Sequence, residues 1–145
     1  MCSSDLKGSP QVLTALVAGE IQLYFIASAG TVVPQEKAGR VRAIGVSTKQ
    51  RLPILPHVPP IADALPGYEA IQWYGVLAPA KTAREIVNKL QMEIARILVL
   101  PEVKERLAAD GADAVGNRPD EFAAYIRAEL TKWNKVVKTG GIKLE

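Results

Sequence analysis

The chain of 145 residues has few of the residues on which most enzyme chemistry depends. It contains one cysteine and one histidine, so it cannot form an internal disulfide or a zinc site of clustered Cys and His ligands. The histidine, His57, lies in a proline-rich connector and is typical of a solvated loop histidine. Glycine-rich phosphate loops, paired metal-binding histidines and serine nucleophile elbows are absent. The sequence therefore predicts a protein that is not an enzyme and holds no metal or cofactor.

Long apolar runs and clustered charge are also missing. No stretch reaches the roughly 18 apolar residues that a membrane-spanning helix needs, and the N-terminus has no basic start followed by an apolar run, as an export signal would. Lys and Arg number 18 against 15 Asp and Glu, without the basic patch and interleaved aromatic residues that favour nucleic-acid binding. We expect a chain that neither spans a membrane nor binds nucleic acid. Its hydrophobic fraction of 48% is sufficient for a globular core.

The first six residues follow no helical or strand period. Met-Cys-Ser-Ser-Asp-Leu runs directly into Lys7-Gly8-Ser9-Pro10, where a helix is expected to begin. We therefore predict that residues 1–6 are a non-native leader, and we assign no role to Cys2.

The first half of the chain alternates helix and strand patterns. Ser9 is suited to cap a short helix that ends at Gly19, and Thr31 is suited to cap another that ends at Gly39. Buried strands are expected over residues 21–26 and 41–46, with a loop of small residues over 27–30. This order is typical of a βαβ unit in a parallel sheet, where ligands bind beyond the carboxyl ends of the strands. The fold class is α/β.

The second half follows a connector over residues 51–66 that contains five prolines and permits one short turn at 61–65. A buried strand is expected over 72–77, with Trp73 and Tyr74 in the core at a junction between lobes. A helix should then begin at Thr82, with Glu85 completing a capping box. A second helix is expected from Pro101 to Gly111, followed by a short strand at 112–115. The last helix should run from Pro119 to Gly140, with a buried stripe of Phe122, Ile126, Leu130, Trp133 and Val137.

Two short segments are candidates for ligand binding. Gly8 and Ser9 precede a helix N-terminus, whose unpaired amides and partial positive charge suit a carboxylate. Ala27 and Ser28 follow a strand, where small side chains would let a ligand approach the backbone. A purely structural interpretation is equally simple, since Ser9 could only cap its helix and the small loop could only turn the chain. The residues alone leave both interpretations open.

Eight blocks of sequence stand in a fixed order between residues 7 and 142. They are Lys7-Gly8-Ser9-Pro10, Leu16-Val17-Ala18-Gly19-Glu20, Lys37-Ala38-Gly39-Arg40-Val41-Arg42-Ala43-Ile44, Leu55-Pro56-His57-Val58-Pro59-Pro60, Leu65-Pro66-Gly67-Tyr68, Trp73-Tyr74-Gly75-Val76-Leu77-Ala78-Pro79, Ile86-Val87-Asn88-Lys89-Leu90 and Leu107-Ala108-Ala109-Asp110-Gly111-Ala112. In this order the blocks resemble the Bug family, the periplasmic solute-binding proteins of tripartite tricarboxylate transporters.

The resemblance implies an incomplete type 2 periplasmic-binding-protein fold, a fragment in which residues 7–70 are part of ligand-binding lobe 2 and residues 71–145 are the C-terminal part of lobe 1. It implies a periplasmic protein, here without its signal peptide, that delivers a small organic carboxylate to the membrane permease subunits of a tripartite tricarboxylate transporter. The solute would be a di- or tricarboxylate or a related organic acid. Gly8, Ser9, Ala27 and Ser28 would be its ligand contacts. Many family members carry an acidic residue where this chain has Ala27 and Ser28, which disfavours a solute with an amino group.

Two other classes are compatible with an α/β fold of this kind. The effector-sensing domain of a LysR-type transcription regulator would have similar strand and helix patterns, and an upstream helix-turn-helix would favour it, whereas an export signal would exclude it. An enzyme of the same broad fold would need a nucleophile or a metal site, and the sequence offers neither.

Overall fold

The computed structural model describes residues 9–26 and 28–142, and this part of the chain forms five α-helices. They are α1 (Ser9–Val17), α2 (Ala29–Lys37), α3 (Arg84–Leu98), α4 (Pro101–Ala109) and α5 (Pro119–Thr139). A 3-10 turn spans Ile61–Asp63, within the proline-rich connector where one turn was predicted. The five helices occupy the regions predicted to be helical. Gly19, Gly39 and Gly111 each follow a helix at positive φ (77°, 69° and 73°), the conformation that ends helices at glycine.

The chain divides into two compact units. Unit 1 comprises residues 1–75 and 104–113, and unit 2 comprises residues 76–103 and 114–145. The first residues of α4 thus belong to unit 2 and its remainder to unit 1. The division into lobes at residue 70 stays a prediction.

Unit 1 has a small hydrophobic core to which the proline-rich connector, residues 51–66, contributes. Val46, Leu55 and Val58 are buried together, and Val58 is only 1% exposed. Ala29 and Val33 of α2 pack against this cluster. Burial of these apolar side chains is what holds the proline-rich connector against α2.

Strand pairing in the described residues is limited to one parallel bridge between Val46 and Pro60. The N–H of Val46 donates to the carbonyl oxygen of Pro59 (3.0 Å), and the N–H of Ile61 donates to the carbonyl oxygen of Val46 (2.9 Å). The carbonyl oxygen of Pro60 accepts from the N–H of Asp63 at 3.1 Å.

The predictions of paired strands over residues 21–26, 72–77 and 112–115 are wrong. The strand predicted over 41–46 is paired only at Val46. Apart from Val46, these residues form neither a helix nor a strand ladder within the described part of the chain, and a strand exists only through hydrogen bonds to a neighbouring strand. Trp73 and Tyr74, predicted to be core residues, are also exposed, Tyr74 by 85%.

Two predicted helix starts need correction. Thr82 does not cap α3, because Ala83 stands at the N-cap, without a side-chain bond to the helix. The N–H of Thr82, which the capping box would give to Glu85, donates instead to the carbonyl oxygen of Pro79 at 2.9 Å. The capping box of Thr82 and Glu85 is therefore wrong. Thr31 does not cap α2, which begins two residues earlier at Ala29.

Unit 2 consists chiefly of α3 and α5, which contact each other. The side-chain amide of Gln91 on α3 donates to the carbonyl oxygen of Gly116 at 3.1 Å and ties α3 to the segment before α5. The buried stripe predicted on α5 is only partly covered. Leu130 and Trp133 are exposed, and the other three members, Phe122, Ile126 and Val137, are half-buried.

Candidate functional site

The first turn of α2 is the best-described part of the predicted binding site. Ser28 occupies the N-cap position with an extended backbone (φ −114°, ψ 114°), and its side chain makes no capping hydrogen bond to the helix. The hydroxyl of Thr31 donates to the carbonyl oxygen of Ser28 at 2.8 Å. A helix N-terminus normally has amides that need an outside acceptor. The side chain of Ser28 does not supply one to α2.

The helices differ in the charge of their first turns. No acidic residue lies in the first turn of α1 or α2, whereas the first turns of α3, α4 and α5 contain Glu85, Glu102, and Asp120 with Glu121. The carboxylate of Glu121 accepts from the N–H of Arg118 at 2.9 Å. An acid at this position offsets the partial positive charge of a helix N-terminus. The sequences of α1 and α2 leave that charge without an acid of their own.

A carboxylate from elsewhere in unit 1 lies beside α2. A Cβ built on Gly30 would stand 2.7 Å from the Oδ1 atom of Asp110 and 2.7 Å from the carbonyl oxygen of Ala109. Asp110, just beyond α4, thus brings a negative charge to the first turn of α2. The protein itself offsets part of the positive charge there.

The small residues before α2 have a packing role that the sequence did not reveal. Residues 27–30 were predicted to form a loop that leaves space for a ligand, but Ala29 and Gly30 are the first two residues of α2. A Cβ on Gly111 would stand 3.1 Å from the Cβ of Ala29. Helix packing therefore accounts for the small size of Ala29 and Gly30.

The four predicted site residues are described to different extents. Gly8 and Ala27 lie outside the residues that the structure describes. Ser9 is the first residue of α1, and Ser28 is the N-cap of α2. Both Ser9 and Ser28 belong to unit 1. The role of all four residues as ligand contacts stays a prediction.

His57 has a carboxylate partner that the sequence gave no reason to expect. Its Nε2 atom lies 3.2 Å from Oε2 of Glu36, and Oε1 of Glu36 accepts from the N–H of Ala43 at 2.9 Å. The hydrogen bond from Ala43, the largest effect, holds the pKa of Glu36 below its ordinary value of 4.5, and His57 adds to it against the opposing effect of burial. His57 is exposed, as a loop histidine should be. The pair links the end of α2 to the connector.

The described residues contain neither a cluster of metal ligands nor a helix that could span a membrane. Among residues 9–26 and 28–142, no three His, Cys, Asp or Glu side chains are close enough together to hold a metal ion. Within those same ranges, every helix is too short or too polar to cross a lipid bilayer.

Comparison with known proteins relates the chain to transporter receptors. A family model described as the tripartite tricarboxylate transporter family receptor matches residues 3–142. A UPF0065 protein from the tcbD-tcbE intergenic region of Pseudomonas sp. strain P51 is 38% identical over 133 residues, which are 90% of this chain and 39% of that protein. Protein BugT of Bordetella pertussis is 31% identical over 140 residues, 96% of this chain and 43% of its own length. The chain thus spans about two-fifths of these two relatives.

Comparison with solved structures also relates the chain to periplasmic binding proteins. R. palustris Rpa4515 with adipate superposes with a TM-score of 0.81 at 36% identity, over 93% of this chain and 45% of that one. The periplasmic binding protein BugD superposes with a TM-score of 0.80 over 96% of this chain and 47% of its own, and at 24% identity it supports the fold alone. The chain therefore has part of a periplasmic-binding-protein fold, as predicted. Because the family model matches nearly the whole sequence, the chain belongs to the receptor family of tripartite tricarboxylate transporters, the Bug family that its sequence blocks resemble.

Proposed function

We propose that this chain is part of a periplasmic receptor that binds a small organic carboxylate and delivers it to the membrane permease of a tripartite tricarboxylate transporter. The observation that carries the proposal is the 36% identity, over 93% of the chain, to Rpa4515, a structure that contains adipate. Adipate is a dicarboxylate, which fits the di- or tricarboxylate or related organic acid that the family resemblance implies. The match to a receptor family also favours binding over catalysis and over a LysR-type regulator.

The proposed contacts are Gly8 and Ser9 at the start of α1, and Ala27 and Ser28 before α2. Two features support them: the first turns of α1 and α2 contain no acid, and the Ser28 side chain makes no bond to the helix that follows it. Backbone amides at a helix N-terminus bind a carboxylate through hydrogen bonds and through the helix dipole. The ligand would supply the negative charge that these two helices do not have in their own sequences.

An added charge at Ser28 tests this site. In Ser28→Asp, the new carboxylate can cap α2, so the helix should be as stable as before or slightly more stable. The same carboxylate would repel a bound carboxylate at contact distance, and we expect the affinity for adipate to fall at least tenfold, about 1.4 kcal/mol. Isothermal titration calorimetry with adipate, on the receptor completed to the length of its relatives, measures the change.

Ala83→Asp is the matched control, because Ala83 is the uncapped N-cap residue of α3. It introduces the same charge at the same helix position, and we expect a gain in stability of about 1 kcal/mol with no change in adipate affinity. Equal affinities of Ser28→Asp and Ala83→Asp for adipate would move the site away from α2.

The substitution Asp110→Asn distinguishes a ligand site at α2 from an arrangement in which Asp110 only stabilises the helix. If a carboxylate ligand binds at the first turn of α2, Asp110→Asn removes a nearby like charge and should raise the affinity for adipate. If Asp110 is itself the only anion that α2 needs, the same substitution should lower the thermal stability and leave the affinity unchanged.

A further inference from the structure

One side of α5 is basic toward the C-terminal end of the helix. Arg127, Lys135 and Lys138 lie with Thr131 within an arc of about 80° and along about 16 Å of helix, given 3.6 residues per turn and a rise of 1.5 Å per residue. All four side chains are exposed, and we call these four residues the basic stripe. The other residues on this side are small or polar and also exposed: Ala124, Ala128 and Asn134.

The cations of the basic stripe have no carboxylate within ion-pair distance among residues 9–26 and 28–142. Glu129, the nearest acid to them along α5, is paired on another side of the helix, because its Oε1 atom lies 3.1 Å from Nζ of Lys132. The C-terminal dipole of α5 is a partner for Lys138, which lies in the last turn, but this effect falls off within one turn. Arg127 and Lys135 therefore have no charge partner in the part of the chain that the structure describes.

Unit 2, which contains α5, carries the whole formal charge of the chain. Unit 1 has eight basic and eight acidic residues, which cancel, whereas unit 2 has ten basic and seven acidic residues and hence a charge of +3. The three cations of the basic stripe account for an excess of this size. The positive charge of the chain is thus concentrated in the unit that presents this surface.

The apolar side of α5 is turned away from the basic stripe. Phe122, Ile126 and Val137 are half-buried, and their positions are centred about 140° around the helix from those of the basic stripe. Burial of the apolar side of α5 therefore leaves the basic stripe open to a partner.

We propose that the basic stripe docks unit 2 on the surface of an anionic phospholipid bilayer. Stable protein interfaces are built around aromatic or aliphatic anchors in desolvated pockets, and the residues beside the basic stripe are alanine and asparagine. Lys and Arg near an anionic bilayer are attracted by its surface potential without such anchors. Each cation strengthens binding about fivefold, which is equivalent to about 1 kcal/mol. This inference rests on charge and exposure, so its failure would leave the proposed function untouched.

Co-sedimentation with vesicles tests the proposal. The 145-residue chain is mixed with vesicles of equal parts phosphatidylglycerol and phosphatidylcholine, and with vesicles of phosphatidylcholine alone. At about 20 mM salt, we expect binding to the anionic vesicles only, and we expect that binding to be lost at about 0.3 M salt, where charges are screened. Lys135→Gln with Lys138→Gln removes two of the three cations and should weaken binding about 25-fold. Because glutamine has nearly the helix propensity of lysine, circular dichroism should show an unchanged helix content.

Lys37→Gln with Lys104→Gln is the matched control, since it removes two exposed cations of unit 1. Lys37 lies in the last turn of α2, as Lys138 does in α5. The control should weaken binding by no more than about twofold, because its cations lie outside the basic stripe.

Three results with the vesicles would overturn the proposal. They are equal effects of the two double variants, no binding of the unsubstituted chain to the anionic vesicles, and equal binding to both kinds of vesicle, which would assign the attachment to exposed apolar side chains. Retention on immobilised polyglutamate that Lys135→Gln with Lys138→Gln abolishes, without binding to vesicles, would also overturn it. An acidic protein surface would then be the partner of the basic stripe.

Discussion

Substitution of Gly30 by alanine sets two effects of opposite sign against each other. Gly30 lies in the first turn of α2, and alanine in a helix is ordinarily more stable than glycine by about 0.5–1 kcal/mol. The added methyl group would, however, meet the carbonyl oxygen of Ala109 at 2.7 Å, and both Oδ1 (2.7 Å) and Cα (2.9 Å) of Asp110. Two of these three atoms are backbone, so they cannot move aside as the end of a flexible side chain could.

Overpacking of this kind costs about 1–3 kcal/mol, which exceeds the gain in helix propensity. We therefore expect Gly30→Ala to lower the free energy of unfolding by about 1–2 kcal/mol. Urea denaturation followed by circular dichroism measures it. A second substitution, Asp110→Ala, removes only the Oδ1 contact, so Gly30→Ala with Asp110→Ala should recover a minor part of the loss.

Gly19 provides the control for glycine replacement itself. A Cβ there meets nothing within 4 Å, but its φ of 77° is unfavourable for alanine. Gly19→Ala should cost about 1 kcal/mol through the backbone alone, and Asp110→Ala should not reduce that cost. If Gly30→Ala proved as stable as the unsubstituted chain or more stable, the close packing of α2 against the end of α4 would be refuted.

Three further predictions concern single contacts. Val58→Ala, in the core of unit 1, should lower the free energy of unfolding by about 2 kcal/mol in urea denaturation, and a cost below about 0.5 kcal/mol would contradict the burial of Val58. The pKa of Glu36 is lowered in the folded chain, so its carboxylate adds stability above pH 4.5 that is lost as the pH falls through the folded pKa. Glu36→Gln should therefore reduce the loss of thermal stability on acidification. Identical profiles of melting temperature against pH for the variant and the unsubstituted chain would refute this. Gln91→Ala should cost about 1 kcal/mol, because it leaves the carbonyl oxygen of Gly116 without the side-chain amide, and a thermal melt equal to that of the unsubstituted chain would show that this bond is dispensable.

The helices were predictable because their signals are local. Pro101 and Pro119 stand at the first positions of α4 and α5, and Gly19 and Gly39 follow the ends of α1 and α2. Proline at a helix start and glycine after its end act through their own backbone geometry. The start of α3 was missed because the turn closed by Thr82 and Pro79 competes with a capping box, and the sequence does not show which bond prevails.

The strands were not predictable to the same degree, because pairing depends on residues far away in the sequence. The composition of residues 21–26 suits a buried strand, yet Leu23 and Phe25 are exposed and the segment has no ladder. The sequence pattern shows that a segment could enter a sheet, but it does not show whether a neighbouring strand is present. For the site, the loop of small residues predicted over 27–30 was wrong at Ala29 and Gly30, which begin α2, because the approach of Asp110 to Gly30 joins distant parts of the chain and left no local signal.

The bridge between Val46 and Pro60 limits where a sheet could grow. In a parallel pairing, the backbone groups of Pro60 point away from Val46, toward the place of the next strand. Proline has no N–H to offer there, and its carbonyl oxygen already accepts from Asp63. Pro60 therefore offers a further strand no N–H donor and only the remaining lone pair of its oxygen, which disfavours edge-to-edge pairing with another molecule at this position.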